Sequence, residues 1–321
     1  MQPGERSLPA QGLVPPGAAC LRSARRLVNH VRVHREIVVA GNYAHDILIG
    51  GDTPPGGDIM KWCPPTEWSP TDEELSELGG AAAYASAVLR AAGVDFAVVA
   101  KVGDDFRYAD RVPPALVVPG ARTTSFVDDY RTGERIATLR AATPALEPED
   151  LREPCTVGLA VPVAGEIPTR ALLRLRELSR ILLADAQGFV REFDASGRVL
   201  HRSPAADTLA ALEQVDYLKI SGAEVEVLDL PRLRRSCTIL LTDGPRGCTI
   251  LSAAGESHVP AFPAREVDPT GAGDCFLAGF AVGLLRGWPP ARAALLANWC
   301  GARAAESFGI PALDSLPTTL D

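Results

Sequence analysis

Short, predominantly apolar runs, alternating with helix-like segments, recur along most of this chain. The first, 36–40 (Glu-Ile-Val-Val-Ala), runs into Gly41-Asn42, and others fall at 94–100, 156–163, 181–184, 215–220 and 237–242. Between them, 80–92, 169–179, 205–214 and 223–228 carry the apolar spacing of helices. A strand with no polar side has both faces buried. Such strands separated by helices form a mainly parallel sheet covered on both faces, so the pattern predicts an α/β fold.

Two stretches break the rhythm. Residues 42–78 are rich in Pro, Gly and Asp, whereas 119–141 alternate polar and apolar residues and read as a hairpin turning at 131–133. Together they predict a small β-lid on one edge of the main sheet, with lid segments at about 42–62 and 119–141. Residues 1–35 hold six Arg against Glu5 and are expected to be a disordered leader, a plastid transit segment being the alternative to a cytoplasmic protein. The expected domain is then 36–316, with a tail at 317–321.

The formal charge of −8 leaves the body after that leader near −13, which argues against nucleic acid as a partner. The longest strongly apolar run without a charge, 275–285, is well short of the ~20 residues a membrane span needs. Seven scattered cysteines with no C-x-x-C pair suit reduced thiols.

The most informative stretch is Asp268-Pro-Thr-Gly-Ala-Gly-Asp274, which leads into an apolar run. Small residues at a helix N-terminus let backbone N–H groups converge on an anion, and the helix dipole adds to the attraction. A carboxylate beside such a cradle repels an anionic ligand, so Asp274 makes sense as the acceptor of a proton from a hydroxyl that attacks phosphorus. The bland alternative is a tight glycine turn followed by a first-turn helix acid. No Lys follows a Gly, so there is no P-loop, and Phe276 stands where a dinucleotide fingerprint needs its third glycine.

The 268–274 segment resembles the C-terminal signature of the PfkB, or ribokinase-like, carbohydrate kinases. Gly79-Gly80 before a helix, with Lys101-Val-Gly-Asp-Asp105, is similar to the N-terminal signature. Lys219-Ile-Ser-Gly-Ala-Glu224, Thr242-Asp-Gly-Pro-Arg-Gly247 and Asn298, in the expected penultimate helix, follow in family order. The resemblance implies a ribokinase-like three-layer αβα sandwich and an ATP- and Mg²⁺-dependent kinase. It makes Asp274 the catalytic base and the amides of Gly271, Ala272 and Gly273 the anion hole. Thr242, Gly244, Gly247, Asn298 and Ser221 then hold the nucleotide, Ser221 standing where the family usually has Asn. Glu224 organises Mg²⁺ through water, and Asp268 with Thr270 lies where some relatives hold a monovalent cation such as K⁺.

Asn42-Tyr-Ala-His45-Asp46, 120–126 and Asp185-Ala-Gln187 through Arg191 look like the plant myo-inositol kinase branch of that family. A cyclitol offers only hydroxyls, so Asn42, Asp46 and Gln187, with Gly79, Gly80 and Asp274, are the expected substrate-binding residues. The reading is a kinase of a small polyol, most like myo-inositol, working as a monomer or a lid-mediated homodimer. The alternatives are a fructose, ribose or adenosine kinase and a catalytically silent regulatory homologue.

Overall fold

The computed structural model describes residues 34–49, 76–129 and 136–320. Most of the expected leader, much of the first lid segment, the turn at 131–133 and Asp321 lie outside them. In chain order the described elements begin with β1 (Arg35–Ala40), β2 (Ala44–Ile49), β3 (Glu77–Gly79) and α1 (Ala81–Ala92). They continue with β4 (Phe96–Val99), β5 (Lys101–Val102), β6 (Leu116–Val117), β7 (Ser125–Asp129), β8 (Ile136–Ala141) and β9 (Cys155–Ala160). Next come α2 (Thr169–Leu178), β10 (Ser179–Asp185), α3 (Gln187–Val190), β11 (Arg191–Phe193), β12 (Val199–His201), α4 (Ala206–Leu212) and β13 (Tyr217–Ser221). The chain closes with α5 (Leu230–Leu233), β14 (Thr238–Thr242), β15 (Cys248–Ser252), β16 (Gly255–Val259), α6 (Ala272–Leu285) and α7 (Pro290–Ala305).

The main sheet runs β16-β15-β14-β13-β10-β9-β1-β4, parallel from β14 to β4 and antiparallel at β15 and β16. Its central strands are predominantly apolar because each faces two cores, whereas the edge strand β16 is mostly exposed. In β1, Ile37 and Val39 join the core under α1, α6 and α7, while Val38 and Ala40 join the one under α2 and α4. This is the three-layer sandwich expected from the sequence. Helix α6 is buried around its whole circumference from Cys275 to Gly283. Gly279 and Gly283 let α7 approach, since a Cβ on either would come within 2.7 Å of Cys300 Sγ or of Ala293.

The lid is a separate sheet of order β3-β2-β7-β8. The expected hairpin is present as the antiparallel pair β7 and β8; β3 was not anticipated. The β11–β12 hairpin reaches the lid's outer strand, where Leu139 N–H donates to Gly197 O at 2.8 Å and Phe193 packs on Phe126.

Several boundaries move. Arg35, expected in the leader, opens β1 and ion-pairs with Asp95 and Glu153. The strand expected at 94–100 is confined to β4, and 222–227 is a 3-10 helix rather than an α-helix. Asn298 sits in the last described helix, not the penultimate one. The expected tail is tied down, since Arg286 Nη1 donates to Pro317 O at 2.8 Å.

Gly197 has φ +83°, and a Cβ there would strike Leu139 O. Gly197→Ala is therefore expected to cost about 1–2 kcal/mol in urea unfolding, with faster amide exchange at Leu139. Unchanged exchange there would show that the hairpin does not support the lid.

Candidate active site

The 268–274 loop is pinned by Val267 and Asp268 N–H groups, which donate to Ala305 O at the end of α7. Asp268 Oδ1 takes the Thr270 N–H at 3.0 Å. Gly271 has φ +78°, and the ring of Tyr84 occupies the space a Cβ would need, so glycine is required on both counts. The positive end of α6 begins here. One expected donor needs correcting. Ala272 N–H turns back to Pro269 O at 3.2 Å, because the loop tightens as it enters the helix, so the cradle is left to Gly271 and Gly273.

Behind the cradle stands Lys219, which sequence reasoning placed in a motif without giving it a role. A Cβ on Gly273 would lie 2.7 Å from its Nζ, so the missing side chain brings the ammonium to the cradle floor. Lys219 donates to Asp185 Oδ2 at 2.8 Å, the two residues facing each other in register on β13 and β10. Both side chains are buried, at 6% and 0% exposure. Burial opposes the lysine's charge, but Asp185, then Glu224 and Asp274, hold its pKa above the ordinary value.

Asp185 does a second thing. Its Oδ1 takes the N–H of Gln187 at 3.1 Å, and Gln187 Nε2 donates to Asp274 Oδ1 at 3.4 Å. One buried carboxylate thus positions both the ammonium under the cradle and the amide that orients the candidate base. Glu224 is buried nearby and accepts the Ser221 N–H at 2.7 Å; burial pushes its pKa up, with Lys219 acting in the opposite direction.

On the other side, Asp46 lies on β2 opposite Glu77. Its carboxylate fills the space a Cβ on Gly79 would need. Tyr84 joins the two sides: burial first, then the carboxylates of Asp46, Asp268 and Asp274 with the Cys275 thiol, push its phenol well above the ordinary range. Asn42 is a correction. Both its amide hydrogens are taken by Thr124 and Thr143 and its oxygen by Lys101 N–H, so it is a buried structural residue and not a substrate ligand.

Thr242, Gly244, Gly247, Ala272, Gly273 and Asn298 line one cleft of about 470 Å³, walled by Pro245, Phe262, Pro263 and Phe276. Asn298 Nδ2 donates to Val259 O and Pro260 O, fixing the cleft's rim. Ser221, expected among the nucleotide ligands, lies outside the lining and serves to hold Glu224.

The model of the pfkB family carbohydrate kinases matches residues 192–317. Inositol 3-kinase of Oryza sativa subsp. japonica is 39% identical over 299 residues, covering 87% of this chain and 70% of the rice protein. This chain belongs to the pfkB family of carbohydrate kinases. Inositol 3-kinase of Arabidopsis thaliana is 33% identical over 310 residues, covering 94% of this chain and 81% of its own. Among solved structures, a pyrophosphate-dependent kinase of the ribokinase family, complexed with a pyrophosphate analog and myo-inositol, shares the fold. Its TM-score is 0.67 at 21% identity, covering 87% of this chain and 98% of that one. As a pfkB kinase, the chain is a phosphotransferase with an alcohol group as acceptor.

Removing Lys219 leaves Asp185 buried without its cation. Lys219→Met is expected to cost about 3–5 kcal/mol in denaturant unfolding, and adding Asp185→Asn should recover most of it. No loss would mean the pair is not buried as described. Because the lysine's folded pKa lies above its ordinary 10.5, the stability that its charged form contributes is complete below that pH and lost as pH rises through the folded value.

Proposed function

We propose that this kinase transfers the γ-phosphoryl group of ATP to a hydroxyl of myo-inositol, giving an inositol monophosphate. The observation that carries the reading is the placement of Asp274. It sits at the N-terminus of α6, oriented by Gln187, between an apolar donor cleft and the Asp46 side of the lid. Identity of 33–39% with plant inositol 3-kinases over most of the chain supports the acceptor.

Asp274 takes the proton of the attacking hydroxyl, and Asp46 orients the ring through neighbouring hydroxyls. The Gly271–Gly273 cradle and the Lys219 ammonium neutralise charge spread over the transferring phosphoryl oxygens. The lid excludes water, so that ATP is not hydrolysed in the absence of an acceptor.

A nucleotide donor is supported by the cleft of about 470 Å³ with proline and phenylalanine walls, which has room for a base and ribose. Glu224 suits a Mg²⁺ held through water. Among the described residues no three acidic, His or Cys side chains converge on a metal position, and Mg²⁺ ordinarily keeps several waters and shares a carboxylate with phosphates. When bound, the ion would neutralise the donor's phosphate charge. Asp268, whose Oδ1 accepts the Thr270 N–H, would be the place for a monovalent cation such as K⁺.

Turnover should be measured with Mg·ATP against myo-inositol, fructose, ribose and adenosine, and with pyrophosphate as the competing donor. Myo-inositol with ATP is expected to exceed every other pair by at least about tenfold in kcat/KM. Equal or better turnover with another acceptor, or with pyrophosphate, would overturn the assignment. Gly79→Ala, which pushes on the Asp46 carboxylate, should raise the KM for myo-inositol by about tenfold or more and leave the KM for ATP unchanged. An unchanged acceptor KM would remove Asp46 from the acceptor site.

A further inference from the structure

Among the described residues the chain passes between the main body and the lid sheet at four places: from β1 to β2 at 41–43, from β3 to α1 at Gly80, from β6, which pairs with β5 outside the main sheet, to β7 at 118–124, and from β8 toward β9 at 142–143. Each of these four crossings meets Asn42. This residue is itself the first crossing. Its carbonyl accepts the Ala82 N–H at 3.4 Å and lies 2.5 Å from where a Cβ on Gly80 would be, which is the second. Its Nδ2 donates to Thr124 Oγ1 at 3.4 Å and to Thr143 Oγ1 at 2.5 Å, which are the third and fourth.

The node is anchored to the main body on two sides. Asn42 N–H donates to Glu166 Oε1, a buried carboxylate that also collects the N–H groups of Val163 and Ala164 beyond β9. Asn42 Oδ1 accepts from Lys101 N–H at 3.1 Å. The two threonine hydroxyls lie 3.0 Å apart, and Thr124 Oγ1 also takes the Thr143 N–H. Asn42, Thr124, Thr143 and Glu166 are all buried, so water cannot replace a lost partner without the packing opening. Asp105 completes the arrangement by accepting both the N–H and the hydroxyl of Thr123, immediately before this hinge.

We propose that Asn42 is a positioning residue that fixes the angle of the lid on the main body, and through it the place of Asp46 on β2 in the acceptor site. The donor cleft is built from elements that do not pass through this node. The node therefore governs acceptor binding separately from nucleotide binding. This role rests on the acceptor reading given above.

The test uses the threonines, whose side chains are buried in the node. Thr143→Val keeps shape and removes the acceptor of a buried amide hydrogen; Thr143→Ser keeps the hydroxyl. Thr143→Val is expected to raise the KM for myo-inositol by about tenfold while the KM for ATP stays within about twofold, and Thr143→Ser should restore the wild-type value. Amide exchange in β2 and β7 should quicken in the valine variant and not in β9 or β10. Thr124→Val should reproduce the split, so the proposal does not depend on one variant folding well. A parallel rise of both KM values, an unaltered acceptor KM, or a serine variant no better than valine would overturn it. Failure of the wild type to use myo-inositol would instead sink the acceptor reading, and the exchange measurement would still decide the hinge.

Discussion

The buried ion pair between Lys219 and Asp185 is the interaction on which the rest of the site depends. Parallel pairing of β10 with β13 puts the two residues opposite each other near the carboxyl ends of adjacent strands, where open α/β sheets bind their ligands. A lone buried charge of either sign would be strongly unfavourable. Once paired, the carboxylate has a second oxygen for Gln187 and the ammonium lies against Gly273. In the proposed mechanism, base orientation and phosphoryl neutralisation thus come from one fixed point in the core.

Glycine supplies the remaining constraint. Gly271 yields space to Tyr84, Gly273 to Lys219 and Gly79 to Asp46. In each case the space of the absent Cβ is taken by a side chain of another element, so these positions bring the proposed acceptor site, base and cradle to one place. The same economy lets α6 lie buried between α1 and α7, which fixes the direction of its dipole.

Much of this was legible in the sequence because its causes are local. Apolar runs reported doubly covered strands, and small residues before an apolar run reported the glycine turn that opens α6 with Asp274 in its first turn. What stayed hidden depends on distant contacts. β3 is three residues long and exists only because β2 pairs with it. Asn42 has the residue type of a sugar ligand, and only the arrival of Thr124 and Thr143 from the far ends of two lid strands commits it to the hinge. Lys219 reads as a lone cation until β10 brings Asp185 beside it. The Ala272 amide was misjudged because the turn that captures it is set by Pro269 O, a backbone detail invisible in residue types.

The most direct test of the account is the single-turnover rate of phosphoryl transfer in Asp274→Asn, measured with ATP binding and thermal unfolding on the same preparation. The variant keeps the shape of the side chain and loses the proton acceptor. A fall of about 10²–10⁴ in transfer rate, with ATP affinity and folding retained, is the predicted result. A transfer rate within a few-fold of wild type would contradict the assignment of Asp274 as the base.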